Sequence, residues 1–387
     1  MAIALNQEQE MLRDSAMVFL RENAPVSQLR KLRDSRDETG FSRELWQSFA
    51  DMGFTGVLIP EAYGGLGLGQ VEAGVIMEAI GRNLGAVPFL STAVLSASVL
   101  ARQGSEEQRQ KYLPAIADGK IVMALALDES SKHRPERQSL RATPNGHGFR
   151  LNGAKTFVVD GHVADTLVVA ARIAGNEGDR DGISLFLVDR SSPGVQVERT
   201  IMVDAHNAAR ISFSDVEVEA GALIGASGEG WPLLEATLDA GRIALASELL
   251  GMADEVFTRT LDYLKERKQF GKIIGEFQAL QHRAAHLYTE IEITRALVLR
   301  SQQMLDEGNR KDNGKGNDVA SAMVSAAKAR AGATAALAVQ EGVQMHGGIG
   351  MTDEFEIGFF MKRQRVAQEL LGDTNYHADR WARLSAY

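Results

Sequence analysis

Cysteine is absent from the 387 residues of the sequence. Its absence excludes disulfide bonds, thiolate nucleophiles and zinc sites built on cysteine. Uninterrupted apolar runs are also short, since no stretch approaches the roughly 20 apolar residues that a membrane-spanning helix needs. The first residues, MAIALNQEQEMLRDSAMVFLREN, lack the basic region and the following apolar run of a secretory signal. We therefore expect a cytoplasmic protein that does not insert into a membrane.

Basic residues are outnumbered, with 42 Lys and Arg against 51 Asp and Glu, which gives a net charge of −9. This balance disfavours nucleic acid or an anionic membrane as the main partner. The 8 histidines are scattered along the chain. His282 and His286 stand four apart on a predicted helix, but no third metal ligand accompanies them. We therefore predict no metal site.

Three patterns follow one another along the chain. Residues 1–118 show the spacing of apolar residues, three and four apart, that is typical of helices. Residues 119–228 hold short β-rich runs such as GISLFLVD, separated by Gly, Asp and Pro turns. Residues 229–387 are helical again, and the charged stretch at 306–318 reads as an exposed loop between two long helices. We predict an α+β multidomain fold with an N-terminal helical domain, a middle antiparallel β-barrel or sandwich and a C-terminal four-helix bundle.

Two motifs in the C-terminal part favour a cofactor that carries both phosphate and an aromatic ring. ERKQFGKIIGEFQALQHR (266–283) contains Arg267, which suits a phosphate, Phe270, which suits a flat ring, and Gln278. QMHGGIGMTDE (344–354) follows a long predicted helix. Its adjacent glycines, after Gln344, let a ligand approach the backbone closely. The alternative is a helix–loop–helix with exposed charges, one core phenylalanine and an ordinary turn.

A cluster of ionisable residues near the C-terminus has two possible roles. VAQELLGDTNYHADR (366–380) brings Glu369, Asp373, His377 and Asp379 together around Gly372. Glycine after a helix and aspartate at the start of the next helix are common capping residues. The stretch is therefore either a site of proton transfer or the turn between two helices.

Taken with the stretches LIPEAYGGLGLG and LNGAKTFVVDGHVAD, these motifs resemble the acyl-CoA dehydrogenase family over essentially the whole chain. The resemblance implies an FAD enzyme that removes hydrogens from the α and β carbons of an acyl-CoA thioester, with electron-transfer flavoprotein as oxidant and a tetrameric assembly. It places Arg242 and Asp239 near the substrate. It also implies an FAD site shared between neighbouring chains, with six residues of this sequence: Arg267, Phe270, Gln278, Gln344, Gly347 and Gly348.

The resemblance fails at the catalytic base. The glutamate that serves the family as base falls on Leu371, and the family's second location for it falls on Gly241. Neither residue can accept a proton. Asp373 is a weak substitute, because it is shorter and two positions away. Glu248 is weaker still, because it lies two helical turns from Gly241.

Positions expected near the flavin also differ from the family pattern. Asp128 stands where a threonine is common, Phe157 replaces a frequent tryptophan and Val159 replaces a threonine. Together with the missing base, these departures resemble the small subunits of heteromeric acyl-CoA dehydrogenases that act on pimeloyl-CoA or steroid-derived CoA esters. The implied partner is a paralogous subunit that carries the base, although a homotetramer remains open. Two alternatives are a scaffolding subunit that completes the FAD site and a flavin oxidase or monooxygenase on the same fold.

Overall fold

The computed structural model describes residues 3–311 and 318–387. Its N-terminal part is helical, as predicted. Asn6 and Gln9 form a capping box at the start of the first helix, in which the Asn6 side chain accepts from the Gln9 N–H at 2.8 Å. The helices are α1 (Gln7–Asn23), α2 (Val26–Ser35), α3 (Arg43–Asp51), α4 (Gln70–Asn83), α5 (Ala97–Gln103) and α6 (Glu106–Ala117).

A π-helical segment, Phe89–Ser96, precedes α5 and is buried along its whole length. The sequence did not predict this element, because its apolar run FLSTAVLS fits an ordinary buried helix equally well. Short π-helical segments are frequent at functional sites. Here the segment supplies Leu90, Ser91 and Leu95 to the cleft described below.

The middle part is a sheet, as predicted. Most strand pairs are antiparallel, as predicted, but β1 and β2 both run parallel to β4, so the antiparallel arrangement is not complete. The main path has the order β6-β7-β3-β2-β4-β5-β8. The strands are β1 (Met123–Ala126), β2 (Arg141–Pro144), β3 (Gly148–Val159), β4 (Thr166–Arg172), β5 (Ile183–Asp189), β6 (Val195–Ile201), β7 (Asn207–Glu219) and β8 (Leu223–Ile224).

The C-terminal part is helical, with one small hairpin formed by β9 (Lys268–Gln269) and β10 (Lys272–Ile273). The helix before the expected loop continues to residue 311, so that loop begins later than predicted, and residues 312–317 lie outside the described residues. The helices are α7 (Trp231–Glu266), α8 (Gln278–Lys311), α9 (Asp318–His346), α10 (Ile357–Glu369) and α11 (Thr374–Leu384).

Helix α7 is the central element, because it packs against both α4 and α9. Glycines allow its backbone to approach α4 closely. A Cβ atom on Gly81 would lie 2.1 Å from the carbonyl oxygen of Glu248, and one on Gly251 would lie 2.1 Å from that of Glu78. Gly241 lies in the buried middle part of α7, where the helix passes the turn between α10 and α11. No helix in the described ranges is long and apolar enough to cross a membrane.

Candidate active site

The two empty base positions meet at one point of the fold. A Cβ atom on Gly241 would lie 2.7 Å from Cδ1 of Leu371 and 2.6 Å from Cδ2 of Leu95. A glutamate at either position, on α7 or on the turn, would therefore place its carboxylate in the same small volume. We call Leu95, Gly241 and Leu371 the base corner. All three residues are apolar, so none of them can accept a proton.

The turn that carries Leu371 is held firmly in an uncommon conformation. Leu371 has a φ of 56° and Gly372 a φ of 110°. The carbonyl oxygen of Leu371 accepts a hydrogen bond from Nε2 of His377 at 3.2 Å and a long one from Nε of Arg242 at 3.5 Å. Burial lowers the pKa of His377, and the positive charge of Arg242 lowers it further, which keeps the imidazole neutral. His377 therefore positions the turn.

Asp373, the weak substitute, is the N-terminal cap of α11. Its Oδ1 accepts from the backbone N–H of Tyr376 at 2.8 Å, and its other oxygen lies 3.5 Å from Nζ of Lys132. The hydrogen bond from Tyr376 lowers the pKa of the carboxyl group, with Lys132 contributing in the same direction. A carboxylate stabilised in this way is a poor proton acceptor. The structure thus gives Asp373 a capping role.

Glu248, the second candidate for a substitute base, is buried, and both of its oxygens accept hydrogen bonds. Its two oxygens accept from Nε and Nη2 of Arg363 at 2.6 and 3.0 Å, and Nη1 of the same arginine donates to Asp204 at 2.9 Å. Removing a carboxylate from such a buried bidentate pair leaves an uncompensated charge. Glu248 is therefore expected to stabilise the junction of α7 and α10.

A cleft opens beside the base corner. We call it the front cleft, and its apolar walls include Leu90, Leu95, Leu125, Phe157, Val159 and Leu371. Phe157 has a φ of 51° at an irregular point of β3, and its side chain is 51% exposed. An exposed phenylalanine in an apolar cleft suits the face of a flat ring. This geometry fits the isoalloxazine ring that the family resemblance implies.

Among the described residues that line the front cleft, Asp128 is the only one with an ionisable side chain. Both of its oxygens lie close to Nδ1 of His133, at 3.0 and 3.1 Å. Nη2 of Arg242 lies 3.5 Å from Nε2 of the same ring, which places the imidazole proton on Nδ1. The sequence identified Asp128 but missed His133, because nothing in a loop sequence indicates a contact five residues away.

Arg242 and Asp239, predicted to contact the substrate, lie together in a buried network. Nη1 of Arg242 donates to Asp239 at 2.9 Å and Nη2 donates to the Tyr376 hydroxyl at 3.0 Å. Arg380 donates to both Glu235 and Asp239. Burial opposes the charge on Arg242, but Glu235 and its other partners outweigh it and raise its pKa. Arg242 supports the turn through the carbonyl oxygen of Leu371, and Asp239 pairs with Arg242. Contact of either residue with a substrate remains a prediction.

The predicted cofactor residues form two exposed groups. Arg267, Phe270 and Gln278 surround the β9–β10 hairpin, where Phe270 is 91% exposed. The Arg267 side chain makes no hydrogen bond or ion pair with any residue in the described ranges. Gln344, Gly347 and Gly348 lie where α9 ends, and Cβ atoms on both glycines would meet open space. An unpaired guanidinium, an exposed ring and an open glycine turn fit the phosphates and adenine of FAD.

No hydrogen bond, ion pair or ring contact within the described ranges joins the hairpin group directly to the group at the end of α9. The two groups are nevertheless neighbours, because the rings of Tyr263, near the end of α7, and His346, at the end of α9, lie 4.4 Å apart. A cofactor site shared between neighbouring chains is what the resemblance implies, and its residues remain a prediction.

Three family models match consecutive parts of the chain. They describe the N-terminal domain of acyl-CoA dehydrogenase (residues 6–120), the middle domain (128–216) and the C-terminal domain (228–385). The predicted boundaries after residues 118 and 228 remain predictions.

Single relatives match over nearly the whole length. Mitochondrial isovaleryl-CoA dehydrogenase from Pongo abelii is 32% identical over 371 residues, covering 94% of this chain and 85% of the relative. The ChsE4-ChsE5 complex from Mycobacterium tuberculosis contains a chain with 26% identity and a TM-score of 0.86, covering 100% of this chain and 99% of the other. A chain of the Tcur3481-Tcur3483 steroid ACAD has 31% identity and a TM-score of 0.85, covering 98% of each chain.

Proposed function

The chain belongs to the acyl-CoA dehydrogenase family, and we propose that it is one subunit of a heteromeric enzyme whose catalytic base lies on a partner chain. Members of this family are oxidoreductases that act on CH–CH groups, and the cofactor is FAD. The substrate in this proposal is an acyl-CoA thioester. The partner is a paralogue of this chain.

The reaction removes a proton from the α carbon and a hydride from the β carbon, which leaves a double bond between them. When bound, FAD accepts the hydride. This chain contributes a flat apolar wall through Phe157, and its leucine side chains exclude water from the front cleft. Its base corner contributes no proton acceptor, so another group must take the α proton within about 3 Å.

The observation that carries the proposal is the chemistry of the base corner. The two places from which the family supplies its glutamate converge within van der Waals distance of each other, and both are apolar. Neither location carries a carboxylate here, and Leu371 fills the space beside Gly241. This supports the proposal that the base belongs to another chain.

The two exposed cofactor groups support the second part of the proposal. The Arg267 side chain has no partner in the described ranges and Phe270 is 91% exposed, which suits a ligand shared with a neighbouring chain. The ChsE4-ChsE5 structure shows that a similar chain occurs in a complex of two different subunits. Electron-transfer flavoprotein is the oxidant that we propose for the assembled enzyme.

A scaffolding role is the second candidate. It is favoured by the capping role of Asp373 and the engagement of Glu248, because neither carboxylate is free to act as a base. In this version the chain completes the FAD site of its partner and binds no substrate itself.

Co-expression tests the proposal. The chain is purified alone and together with a paralogue that carries glutamate at either base position, and the FAD content of each preparation is measured by visible absorption. We expect stoichiometric FAD and acyl-CoA dehydrogenation only in the mixed complex. A homo-oligomer of this chain that contains FAD and turns over an acyl-CoA at the rate of the mixed complex would refute the proposal.

A further inference from the structure

A second cavity lies directly behind the front cleft. Leu90 and Val159 line both cavities and form the wall between them. We call the second one the rear cavity, and its ionisable lining residues within the described ranges are Asp160, His206, Glu248 and Arg363. It lies where the N-terminal helices, the sheet and α10 meet. An acyl chain that displaced Leu90 slightly would pass from one cavity into the other.

One hydrogen bond crosses the wall. Ser91 lines the front cleft and Asp160 lines the rear cavity, and the Ser91 hydroxyl donates to Oδ2 of Asp160 at 2.6 Å. No other described residue donates to this carboxylate, so its second oxygen has no partner. Asp160 is half-buried and lines the rear cavity, so this oxygen is open to a further hydrogen bond. The free oxygen therefore marks a position where a ligand donor would be bound.

The charges around the rear cavity restrict what that ligand can be. Arg363 donates to Glu248 and Asp204 through its three guanidinium nitrogens, and His206 lies 3.4 Å from Asp204 through Nδ1. Burial raises the pKa of Asp160 to about 6, although Ser91, His206 and Arg363 oppose the shift. The lining therefore holds two carboxylates, Asp160 and Glu248, and one arginine that is already engaged. It repels a carboxylate end group and favours a neutral hydrogen-bond donor.

The distance along α7 between the base corner and the rear cavity gives the length of the proposed ligand. Gly241 belongs to the base corner and Glu248 lines the rear cavity, seven residues further along the helix. Seven residues of α-helix span roughly 10 Å. We propose that the substrate acyl chain extends about this far beyond the base corner and ends in a hydroxyl group that donates to Asp160. This inference rests on the proposed function for the acyl-CoA class of the substrate.

The test compares three CoA esters that differ at the far end of the acyl chain. Octanoyl-CoA, 8-hydroxyoctanoyl-CoA and pimeloyl-CoA are titrated into the full chain, or into its complex with the partner, and dissociation constants are measured by calorimetry. We expect the hydroxyl ester to bind about tenfold more tightly than octanoyl-CoA, since a hydrogen bond to a buried charge is worth that factor. Pimeloyl-CoA, which ends in a carboxylate, should bind most weakly.

The variant Asp160→Asn removes the negative charge and keeps the shape of the side chain. Asp160 has a φ of 57°, a conformation that asparagine tolerates well, so the variant should fold. Its amide oxygen still accepts from Ser91, but the free anionic oxygen is lost. We expect the preference for the hydroxyl ester to fall below about threefold, since a neutral acceptor forms weaker hydrogen bonds. Asp181→Asn, an exposed carboxylate outside both cavities, is the matched control and should change nothing.

Each outcome has a distinct meaning. Equal affinity for the hydroxyl and plain esters, tighter binding of pimeloyl-CoA, or a preference that persists in Asp160→Asn would overturn the inference while leaving the proposed function intact. Failure to bind any of the three esters would refute the acyl-CoA assignment itself, and the inference with it.

Discussion

At the scale of single residues, the base corner explains why the family's two base positions are alternatives to each other. Because Gly241 and Leu371 touch the same small volume, only one of the two positions can carry a large side chain. A glutamate on the turn requires a small residue on α7, and the reverse also holds. In this chain Leu371 occupies the volume, and α7 carries Gly241 beside it.

Leu371→Glu should therefore restore a proton acceptor. The variant places a carboxylate in the apolar corner, and a positioned general base contributes typically 10²–10⁴-fold to such a step. We expect flavin reduction by octanoyl-CoA to become at least about 100-fold faster than with the wild-type chain, when both are measured in a mixed complex whose partner glutamate has been changed to glutamine. Leu371→Gln has nearly the same shape and no proton acceptor. If it matched Leu371→Glu, the missing carboxylate would not be what limits this chain.

Gly241→Glu should behave differently. Its Cβ would lie 2.7 Å from Leu371 and 2.6 Å from Leu95, so the single variant overpacks the corner. Overpacking of this kind costs typically about 1–3 kcal/mol. Adding Leu371→Gly removes the clash and suits the φ of 56° at that position. We expect thermal unfolding to show a lowered Tm for the single variant and recovery in the double variant. A single variant as stable as the wild type would contradict the geometry of the corner.

Lys328 makes the stability of the turn between α10 and α11 depend on pH. Its Nζ is buried and donates to the carbonyl oxygens of Ala367 and Gln368 at 3.0 and 2.9 Å. Burial lowers its pKa to about 7, against the effect of Glu248 and other carboxylates. The unfolded chain keeps a lysine pKa near about 10.4, so between pH 7 and 10 it binds a proton that the folded chain releases. The stability that Lys328 contributes therefore rises with pH across this window.

Urea unfolding of the wild type and Lys328→Met at pH 7, 8 and 9 measures this effect. We expect the difference in free energy of unfolding to grow with pH, by at most about 1.4 kcal/mol per pH unit. Lys155, whose pKa burial lowers to about 8, is present in both proteins and cancels in the difference. Lys265→Met, on the exposed part of α7, is the control. A constant difference would show that Lys328 keeps its proton in the folded chain.

At the scale of elements, the β9–β10 hairpin is an exposed structure that follows α7. Arg267 is the C-terminal cap of α7, and Phe270 and Gly271 at the hairpin tip have φ values of 55° and 79°. Tight hairpins favour two-residue turns with positive φ at both positions, so the turn itself accounts for this conformation. Because Arg267 has no side-chain partner in the described ranges and Phe270 is exposed, we propose that the hairpin contacts a ligand shared with another chain.

Arg267→Ala tests that explanation. Because the side chain has no partner in the described ranges, its loss should leave the Tm of the chain unchanged. A bidentate contact between arginine and phosphate is charge-assisted, so FAD affinity of the mixed complex should fall about 10-fold or more. The FAD content after dialysis measures this loss. Lys268→Ala, the exposed neighbour, should retain the cofactor, and unchanged FAD content in Arg267→Ala would remove the hairpin from the site.

The elements also show how far sequence reasoning reached. The long helices of the C-terminal part, such as α7 and α9, were predicted as helical, because an apolar pattern with helical spacing runs along them. The exposed hairpin motif was found because its residue types are unusual together. The π-helical segment, the parallel β1–β4 pair and the Asp128–His133 contact were not found. Each depends on tertiary packing, which leaves no periodic trace in the sequence.

At the scale of the whole molecule, the chain has the three-part fold of its family, while both base positions are apolar. The front cleft, the turn held by His377 and the two exposed groups proposed for the cofactor are present among the described residues. We therefore expect the chain to fold by itself and to become an enzyme only with a partner.

The most direct measurement is anaerobic reduction of flavin by an acyl-CoA in the isolated chain. The purified chain is mixed with excess FAD and octanoyl-CoA, and the visible flavin band is followed over time. The account predicts no bleaching until a paralogue that carries the glutamate is added. Rapid bleaching by the chain alone would contradict it, because a proton acceptor would then have to exist within this chain.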